Sequence, residues 1–422
     1  MTTAHSNPPL TAPSVTPASG APVAATLANR WTLPAVCIAA FLVFVQTFMV
    51  APLIPRLAEA FDSSFGWVGL AIPAYVVPEA LATLAVGPLS DRAGRRQVIY
   101  AALVLFIVLT ALTATAHHID GFIGWRVATG IAAAGVVPVS LSLIGDVVPF
   151  ARRGRAVGWL FGSIAGGTAA GAAIGALLEP LVGWRALFVA VAALSALLCA
   201  AAWLVSALPR LPRRAAAAWS AVARGYLHLL TTARARRTYG YVLLNAILQS
   251  GVFTWLGVYL HQRYGLNETG IGLALLGYGI PGLLFGPLIG RLADRYGRSI
   301  IVPTGVVLTS VCAFTLATHL PLDGARVAIV LLSLGFDLTH PQLAAIVTDL
   351  GSGRGQAVAL MAFCLFGGFG LGSLLFQAAL PLGFTGALST FGGVAAIAAL
   401  AAFALFRAER PRVPAARPSP AR

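Results

Sequence analysis

The sequence predicts an all-α membrane protein with twelve transmembrane helices, arranged as two six-helix halves related by pseudo-symmetry. Three observations predict this fold class: an apolar composition, twelve apolar runs of spanning length, and a charged motif that occurs once in each half. Of the 422 residues, 58% are hydrophobic and 10% are charged, whereas soluble globular proteins are about 25% charged. So few charged residues cannot cover a soluble core, and that class of protein is excluded.

The apolar runs set the number of helices, because a transmembrane helix needs about 20 residues to cross the hydrocarbon. The predicted spans are 31–54, 66–89, 98–116, 121–145, 156–178, 185–206, 239–260, 270–290, 300–318, 325–347, 355–379 and 384–406. They predict a disordered cytosolic tail (1–30), a first half (31–206), a basic linker (207–238), a second half (239–406) and a second cytosolic tail (407–422).

All 28 basic residues are arginine, and their positions predict the orientation of the chain. With both termini in the cytosol, 23 of them fall in cytosolic segments, as the positive-inside rule requires. We therefore expect a multi-pass protein of the inner (plasma) membrane with cytoplasmic termini. Because the arginines occur in short runs between apolar spans, and not with aromatic residues on a soluble face, nucleic-acid binding is not expected.

The linker 207–238 contains seven arginines and no acidic residue. Within it an apolar set recurs at helical spacing, which predicts an amphipathic helix on the inner leaflet. Anionic lipid binding is one interpretation, and a simple tether held near the membrane by charge is the other. The apolar set is Trp219, Val222, Tyr226 and Leu229.

A repeated motif predicts how the two halves are related. The pattern G-x-x-x-D-R-x-G-R occurs at 87–95 and again at 290–298, an offset of 203 residues. At the same offset Asp146 corresponds to Asp349. Two halves of parallel topology with a substrate site between them, near the membrane midplane, are typical of alternating-access transporters.

These paired loops resemble the signature loop of the major facilitator superfamily. The resemblance implies that a loop aspartate faces the start of a helix in the opposite half, while a loop arginine pairs with an acid at the end of the fourth helix of its own half. We interpret the loops as a conformational latch, the alternative being that they only enforce topology. The implied contacts are Asp91 with the start of span eleven, Arg95 with Asp146, Asp294 with the start of span five, and Arg298 with Asp349.

Two further motifs are similar to family patterns. Arg126, followed by Gly130, is similar to the fourth-helix arginine motif, which implies proton coupling; a snorkelling anchor at the span end is the alternative. Residues 167–176 resemble the fifth-helix motif of the antiporters, but Ala172 replaces its proline and Ala176 its last glycine. That departure weakens the prediction of antiport.

Two acids lie near the middle of predicted spans, where a charge costs at least about 2.5–3.5 kcal/mol. They are Glu79 and Asp337, and the repeat places Gly282 and Ala134 at their counterparts. Because burial disfavours the charged form of a carboxyl group, we interpret both as proton-coupling residues, the alternative being acids paired for packing. His340 follows Asp337 by three residues, which suggests a proton relay on one helix face.

Polar and aromatic residues within the spans are candidates for a substrate cavity. Such a cavity, with few polar groups, suits a lipophilic substrate, and a cationic one if both acids face it. The candidates are Gln46, Tyr75, Asn245, Gln249, Trp255, Tyr278 and Phe363, with Phe44 and Phe48 as further apolar contacts.

The sequence thus predicts a secondary transporter, with proton-coupled export of a lipophilic or cationic compound as the leading function. Uptake or export of a polar metabolite such as a sugar or amino acid is the alternative, and a membrane enzyme or sensor is a distant one. The four cysteines lie inside spans without C-x-x-C spacing, so neither a metal nor a cofactor is expected. We expect a monomer that acts on a small-molecule substrate, protons and the lipid bilayer.

Overall fold

The computed structural model describes residues 29–212, 219–350 and 354–409, and every element within these ranges is helical. Most of both predicted tails and part of the predicted linker, residues 213–218, lie outside the described residues. In the first half the helices are α1 (Thr32–Phe48), α2 (Ile54–Ala60), α3 (Phe65–Gly69), α4 (Pro73–Ala93), α5 (Arg95–Thr113), α6 (Ile119–Ala133), α7 (Val137–Val147) and α8 (Phe150–Leu204). In the remainder they are α9 (Trp219–Leu229), α10 (Ala233–Tyr264), α11 (Glu268–Leu275), α12 (Ile280–Tyr296), α13 (Arg298–Ala317), α14 (Leu322–Thr348), α15 (Arg354–Ala379) and α16 (Gly383–Leu405).

Nine stretches of the described residues are long and apolar enough to cross a membrane. Two of them are 50 residues long, and each turns back at a glycine with positive φ, Gly183 (φ 78°) and Gly383 (φ 73°). Each of these stretches therefore accounts for two predicted spans. The predicted eighth span is α11 followed by α12, which break at Gly279 (φ 84°). The helices are thus consistent with the predicted twelve spans.

Glycines in the predicted fifth and eleventh spans let helices pack at backbone distance. A Cβ on Gly171 would lie 2.6 Å from the carbonyl oxygen of Val45, so α8 packs directly on α1. In the second half, a Cβ on Gly372 would overlap the carbonyl oxygen of Ile247, so α15 packs on α10 in the same way. Small residues permit this close approach in membranes. The glycines of the antiporter-like motif therefore have a packing role.

The two halves meet at the end of the bundle that carries Arg56 and Arg185, which the arginine distribution predicts to face outward. We call this end the outer end and the opposite end the cytosolic end. Here a Cβ on Gly257 of α10 would lie 2.8 Å from Cα of Pro52. Gln377 Nε2 donates to the carbonyl oxygen of Gly66 across the halves, at 3.1 Å. The outer ends of the two halves are therefore packed together.

The linker helix α9 packs across both halves at the cytosolic end, which corrects the expectation that its apolar face lies on the inner leaflet. Tyr226 Oη donates to the carbonyl oxygen of Leu84 on α4 at 3.2 Å, and Gln356 Nε2 on α15 donates to that of Val222 at 3.3 Å. The guanidinium of Arg92 lies 4.6 Å above the Trp219 ring. The apolar face of α9 therefore has protein partners in both halves.

A group of charges holds together the start of α10 and the chain after α16. Arg234 binds the two carboxylate oxygens of Glu409 through Nε (2.7 Å) and Nη2 (2.8 Å), and Arg237 Nη2 binds Oε1 at 2.5 Å. The hydrogen bonds from Arg234 lower the pKa of Glu409, although burial opposes the shift. The ionised form of Glu409 therefore stabilises the folded state.

We predict that Glu409→Gln lowers the stability of the protein at neutral pH and has less effect in acid. A carboxyl group whose pKa is lower in the folded state contributes stability above its unfolded pKa, about 4.3, and loses that contribution as pH falls through the folded value. Thermal unfolding of the detergent-solubilised protein should show a difference between wild type and variant at pH 7 that narrows below about pH 4.3. A difference independent of pH would contradict the assigned charge interaction.

Candidate functional site

A buried arginine organises the polar residues of the first half. Arg126 of α6 is 0% exposed, so the alternative of a snorkelling anchor is wrong. Its Nη1 donates to Oε1 of Gln46 at 2.8 Å, and its Nη2 to the carbonyl oxygen of Thr47 at 3.1 Å. Its Nε donates to the carbonyl oxygen of Ala71 at 3.0 Å. These acceptors replace water, which lets the guanidinium remain within the bundle.

Two predicted site residues of α4 lie beside this arginine. The Tyr75 ring centroid is 4.4 Å from the guanidinium carbon of Arg126. Glu79, one helical turn on, is 1% exposed and interacts electrostatically with Arg126, but no ion pair within 4.0 Å joins these two described side chains. Its Oε1 has no hydrogen-bond partner among the described residues. Glu79 is therefore a buried acid with one carboxyl oxygen that accepts no hydrogen bond from a described residue.

Three predicted site residues of the second half form a hydrogen-bonded chain. His340 Nε2 of α14 lies 2.8 Å from Oε1 of Gln249 on α10, and Gln249 Nε2 donates to the Tyr278 hydroxyl at 3.2 Å. Because an amide oxygen can only accept, Nε2 of His340 carries the proton. Its Nδ1 is buried without a hydrogen-bond partner among the described residues, so the neutral ring has a free acceptor.

Asp337 lies against the glycine that the repeat assigns as the counterpart of Glu79. Its Oδ2 accepts from the Ser333 hydroxyl at 3.3 Å, and a Cβ on Gly282 of α12 would lie 2.6 Å from its Oδ1. The side chain is half-buried. Glu79 lies on α4, in the second span of the first half, beside Arg126 of the fourth span. Asp337 lies on α14, in the fourth span of the second half, against Gly282 of the second span. The two acids therefore occupy corresponding places but belong to different helices.

The structure gives Asp337 and His340 different partners. The carboxylate of Asp337 binds Ser333, whereas the imidazole binds Gln249, and no hydrogen bond joins the two side chains in the part of the chain that is described. The predicted direct relay between them is therefore not present in this conformation. Helix α14, which carries both side chains, continues through Pro341, the residue after His340.

Aromatic rings lie between the polar residues around Arg126 in the first half and those around His340 in the second half. Phe48 of α1 contacts Phe253 of α10 and Phe369 of α15, with centroid distances of 5.6 and 5.7 Å. Phe369 also lies 6.5 Å from the His340 ring, and Phe253 lies 4.4 Å from the Tyr278 ring. We call Phe44, Phe48, Phe253, Phe366 and Phe369 the aromatic cluster. The cluster contains residues of both halves, and its ring contacts connect them next to Tyr278 and His340.

The remaining predicted cavity residues have the following contacts in this conformation. The Trp255 ring is 1% exposed, packs on Gly69 of the first half, and donates from Nε1 to the carbonyl oxygen of Ser373 at 3.2 Å. Asn245 is buried and donates to the Thr339 hydroxyl at 2.6 Å within its own half, while its Oδ1 has no hydrogen-bond partner among the described residues. Phe363 is partly exposed on α15. Trp255 is thus part of the contact between the halves, and the place of these residues in a substrate cavity stays a prediction.

The predicted latch loops show the implied ion pairs within each half. Arg95 Nε binds Oδ2 of Asp146 at 2.5 Å and Nη2 binds Oδ1 of Asp91 at 2.9 Å, while Arg298 lies 3.5 Å from Asp349. The side chain of Asp294, the side chains at the start of α8 and residues 351–353 lie outside the described residues. The predicted contacts with the opposite half therefore stay a prediction.

Comparison with known proteins identifies relatives across the chain. Residues 36–350 and 262–422 match the family described as the Major Facilitator Superfamily. The chain is 26% identical over 279 residues to the uncharacterised MFS-type transporter YwfA of Bacillus subtilis (62% of this chain, 64% of that one). It is 27% identical over 264 residues to a chloramphenicol resistance protein of Streptomyces lividans (62% and 66%). The matches span a little under two thirds of each of these relatives.

Solved structures show the same fold. The human organic anion transporter MFSD10 matches with a TM-score of 0.72 and 19% identity, covering 90% of this chain and 99% of that one. A D-xylose-proton symporter matches with a TM-score of 0.74 and 18% identity, covering 88% and 97%. At these identities the likeness concerns the fold alone.

We predict that reversing both charges of the Arg95–Asp146 pair partly restores what either single reversal removes. Arg95→Asp or Asp146→Arg alone leaves a largely buried charge beside a like charge, which typically costs about 3–5 kcal/mol. Restoration in the double variant should be partial, because Asp91, which binds Arg95 in the wild type, would then lie beside the aspartate introduced at position 95. Thermal unfolding and transport in vesicles provide the measurements. As a matched control, Asp349→Arg should cost less, since that side chain is 56% exposed. Additive losses in the double variant would contradict the pairing.

Proposed function

This chain belongs to the major facilitator superfamily and is a transporter, not an enzyme, and we propose that it exports small lipophilic or cationic compounds in exchange for protons. The observation that carries the proposal is the half-buried carboxyl group of Asp337, near the middle of α14. It lies against Gly282, whose backbone N–H donates to it, and among the described side chains its hydrogen-bond partner is the Ser333 hydroxyl. A carboxyl group in this setting has capacity both for a proton and for a cation.

The proposed cycle uses the two protonation states of Asp337. In the ionised state the carboxylate attracts a cationic substrate, while the aromatic cluster provides apolar contact and cation–π attraction. In the protonated state that attraction is absent and the substrate leaves. Because a carboxylate within the bundle is costly unless neutralised, the site favours either a bound proton or a bound cation, and this exclusion couples the two fluxes.

The polar cluster of the first half supports a second proton-binding role. Arg126 has four hydrogen bonds to carbonyl and amide oxygens, and so does not need Glu79 as a direct ion partner. Glu79 retains an oxygen without a partner among the described side chains. We propose that Glu79 is a second proton-coupling residue, which takes over the coupling role if Asp337 proves to be structural.

The relatives support export. Two of the matching curated proteins are named chloramphenicol resistance protein, from Streptomyces lividans and Pseudomonas aeruginosa. Resistance that depends on a membrane transporter is most simply conferred by removal of the compound from the cell. Export also agrees with the apolar character of the aromatic cluster, since a lipophilic compound needs few hydrogen bonds.

A polar metabolite such as a sugar or an amino acid is the alternative substrate, and a specific observation favours it. The chain of His340, Gln249 and Tyr278 offers directed hydrogen bonds that a lipophilic cation does not need. The altered antiporter motif, with Ala172 buried in the helix contact, agrees with uptake rather than exchange.

Proteoliposomes with an imposed pH gradient would separate these functions. The panel consists of tetraphenylphosphonium as a lipophilic cation, chloramphenicol as a neutral lipophilic compound, and D-xylose and alanine as polar metabolites. Proton movement opposite to the flux of a lipophilic compound supports the proposal. Proton movement in the same direction as a polar metabolite supports the alternative.

We further propose that the termini face the cytosol of a cell whose plasma membrane holds the protein as a monomer. In this conformation the outer ends of the halves are in contact, so an outward-open conformation requires these contacts to separate. The paired loops would then form their contacts across the halves in the opposite, outward-open conformation.

We predict that Asp337→Asn abolishes pH-driven accumulation of the transported compound and spares its downhill exchange. The amide mimics the protonated acid in size and neutrality but cannot release a proton. Accumulation should fall to the level of empty vesicles, and proton release on adding substrate to purified protein should disappear. Asp323→Asn is the matched control, because it makes the same change on an exposed residue of the same helix.

A structural role for Asp337 has a different outcome. If the carboxyl group only packs against Gly282 and Ser333, the variant would be less stable but would still concentrate substrate against its gradient. Coupling would in that case be assigned to Glu79, and Glu79→Gln should then remove proton release.

A further inference from the structure

A groove of about 390 Å³ lies on the outside of the bundle between α10 and α16. Its walls are apolar side chains that remain exposed, including Val394 (43%), Ile397 (72%) and Leu405 (47%). Tyr241 closes its floor, since its hydroxyl donates to the carbonyl oxygen of Ala398 at 2.8 Å. Within the membrane this face of the bundle meets lipid.

Arginines line the cytosolic end of the groove. Arg236 Nη1 donates to the carbonyl oxygens of Leu230 and Thr231, at 3.2 and 2.9 Å, and no carboxylate of the described residues lies within 4.0 Å of it. Arg237, by contrast, shares Glu409 with Arg234. Two guanidinium groups therefore share the Glu409 carboxylate, while Arg236 has no carboxylate partner among the described residues, so the cytosolic end of the groove carries positive charge.

We propose that this groove binds an anionic phospholipid of the cytosolic leaflet, with the phosphate at Arg236 and one acyl chain along the apolar walls. At 1.5 Å rise per residue, the lining extends about 12 Å from Arg236 to Leu244 on α10 and about 16 Å from Leu405 to Val394 on α16. These lengths match one leaflet of a hydrocarbon core about 30 Å thick. The positive charge at Arg236 and the length of the apolar lining are therefore both suited to an anionic phospholipid.

Gly240 shows that the groove is not a by-product of close helix packing. Unlike Gly171 and Gly372, a Cβ at Gly240 would meet nothing within 4 Å. Its missing side chain therefore leaves open space in the lining, beside Ala398 and Ala401 of α16. We place the acyl chain in this open space.

The bound lipid would connect parts of the chain that are distant in sequence. Its phosphate would bind the guanidinium of Arg236, which already holds the carbonyl oxygens of Leu230 and Thr231 at the end of the linker, and its chain would cover the contact between α10 and α16. The lipid would therefore stabilise the start of the second half. The proposal does not depend on the transported compound or on proton coupling.

The test is lipid binding to the purified full-length protein in detergent, measured by native mass spectrometry and by thermal unfolding. Dioleoyl phosphatidylglycerol is the probe, and dioleoyl phosphatidylcholine is the zwitterionic comparison. Wild type should retain and be stabilised by phosphatidylglycerol. Arg236→Gln should weaken its binding about fivefold, the usual contribution of one basic residue near a membrane surface. Gly240→Leu should weaken binding by filling this open space without a clash.

Matched controls make the same changes elsewhere. Arg224→Gln removes an exposed cytosolic arginine of α9, and Gly124→Leu fills open space on the lipid-facing side of α6; both should bind phosphatidylglycerol as wild type does. Equal binding of the two lipids, or no loss in either groove variant, would overturn the proposal. Competition by millimolar inorganic phosphate that removes the stabilisation would instead identify a phosphate site and also overturn it.

Discussion

The close approach of two helix pairs, α8 on α1 and α15 on α10, constrains the rest of the structure. In hydrocarbon there is no hydrophobic force between helices, so association depends on packing and on small residues. Gly171 and Gly372 allow backbone contact in the two pairs. With these pairs in contact, the aromatic side chains of α1, α10 and α15 meet between the halves, and the polar residues of α4, α6 and α14 lie on either side of them.

Within this pseudo-symmetric frame the charges are arranged unequally. The first half contains a buried arginine held by carbonyl oxygens, beside a buried acid on α4. At the offset of 203 residues the second half has Ile329 in place of Arg126, and its acid, Asp337, projects from α14 toward Gly282, the counterpart of Glu79. One half thus holds a buried arginine and the other a carboxyl group beside a glycine. Under the proposed proton coupling, this inequality would give the two halves different affinities for the proton.

The repeat allowed the sequence to predict a fold of two related halves, because residues at equal offsets occupy corresponding helices and loops. The ion pairs of Arg95 with Asp146 and of Arg298 with Asp349, which the structure contains, were implied by the resemblance of the loops to the signature loop of the superfamily. Contacts that depend on which helix face meets the other half could not be predicted: the sequence did not show that Trp255 packs on Gly69 or that Asn245 binds Thr339. Phe253, Phe366 and Phe369 were missed, since an apolar span contains many phenylalanines. The linker helix was predicted from its period, but its partners α4 and α15 were not, because an apolar face does not specify what covers it.

The distribution of ion pairs explains how the halves can rock against each other. The largely buried ion pairs between described side chains, Arg95 with Asp146 and Arg237 with Glu409, each lie within one half or the segments that flank it. The contacts between the halves are of another kind: ring pairs such as Phe48 with Phe253, glycine contacts, and isolated hydrogen bonds such as that of Gln377. A ring pair contributes about 0.5–1.5 kcal/mol beyond its buried area, whereas breaking a buried ion pair costs about 3–5 kcal/mol. Opening the outer end therefore separates weak, replaceable contacts, while the strong ones keep each half rigid. Under the proposed function, a substrate that inserts between the rings would replace their apolar contacts with its own, and this is the differential contact that a ligand needs to shift the equilibrium between two conformations.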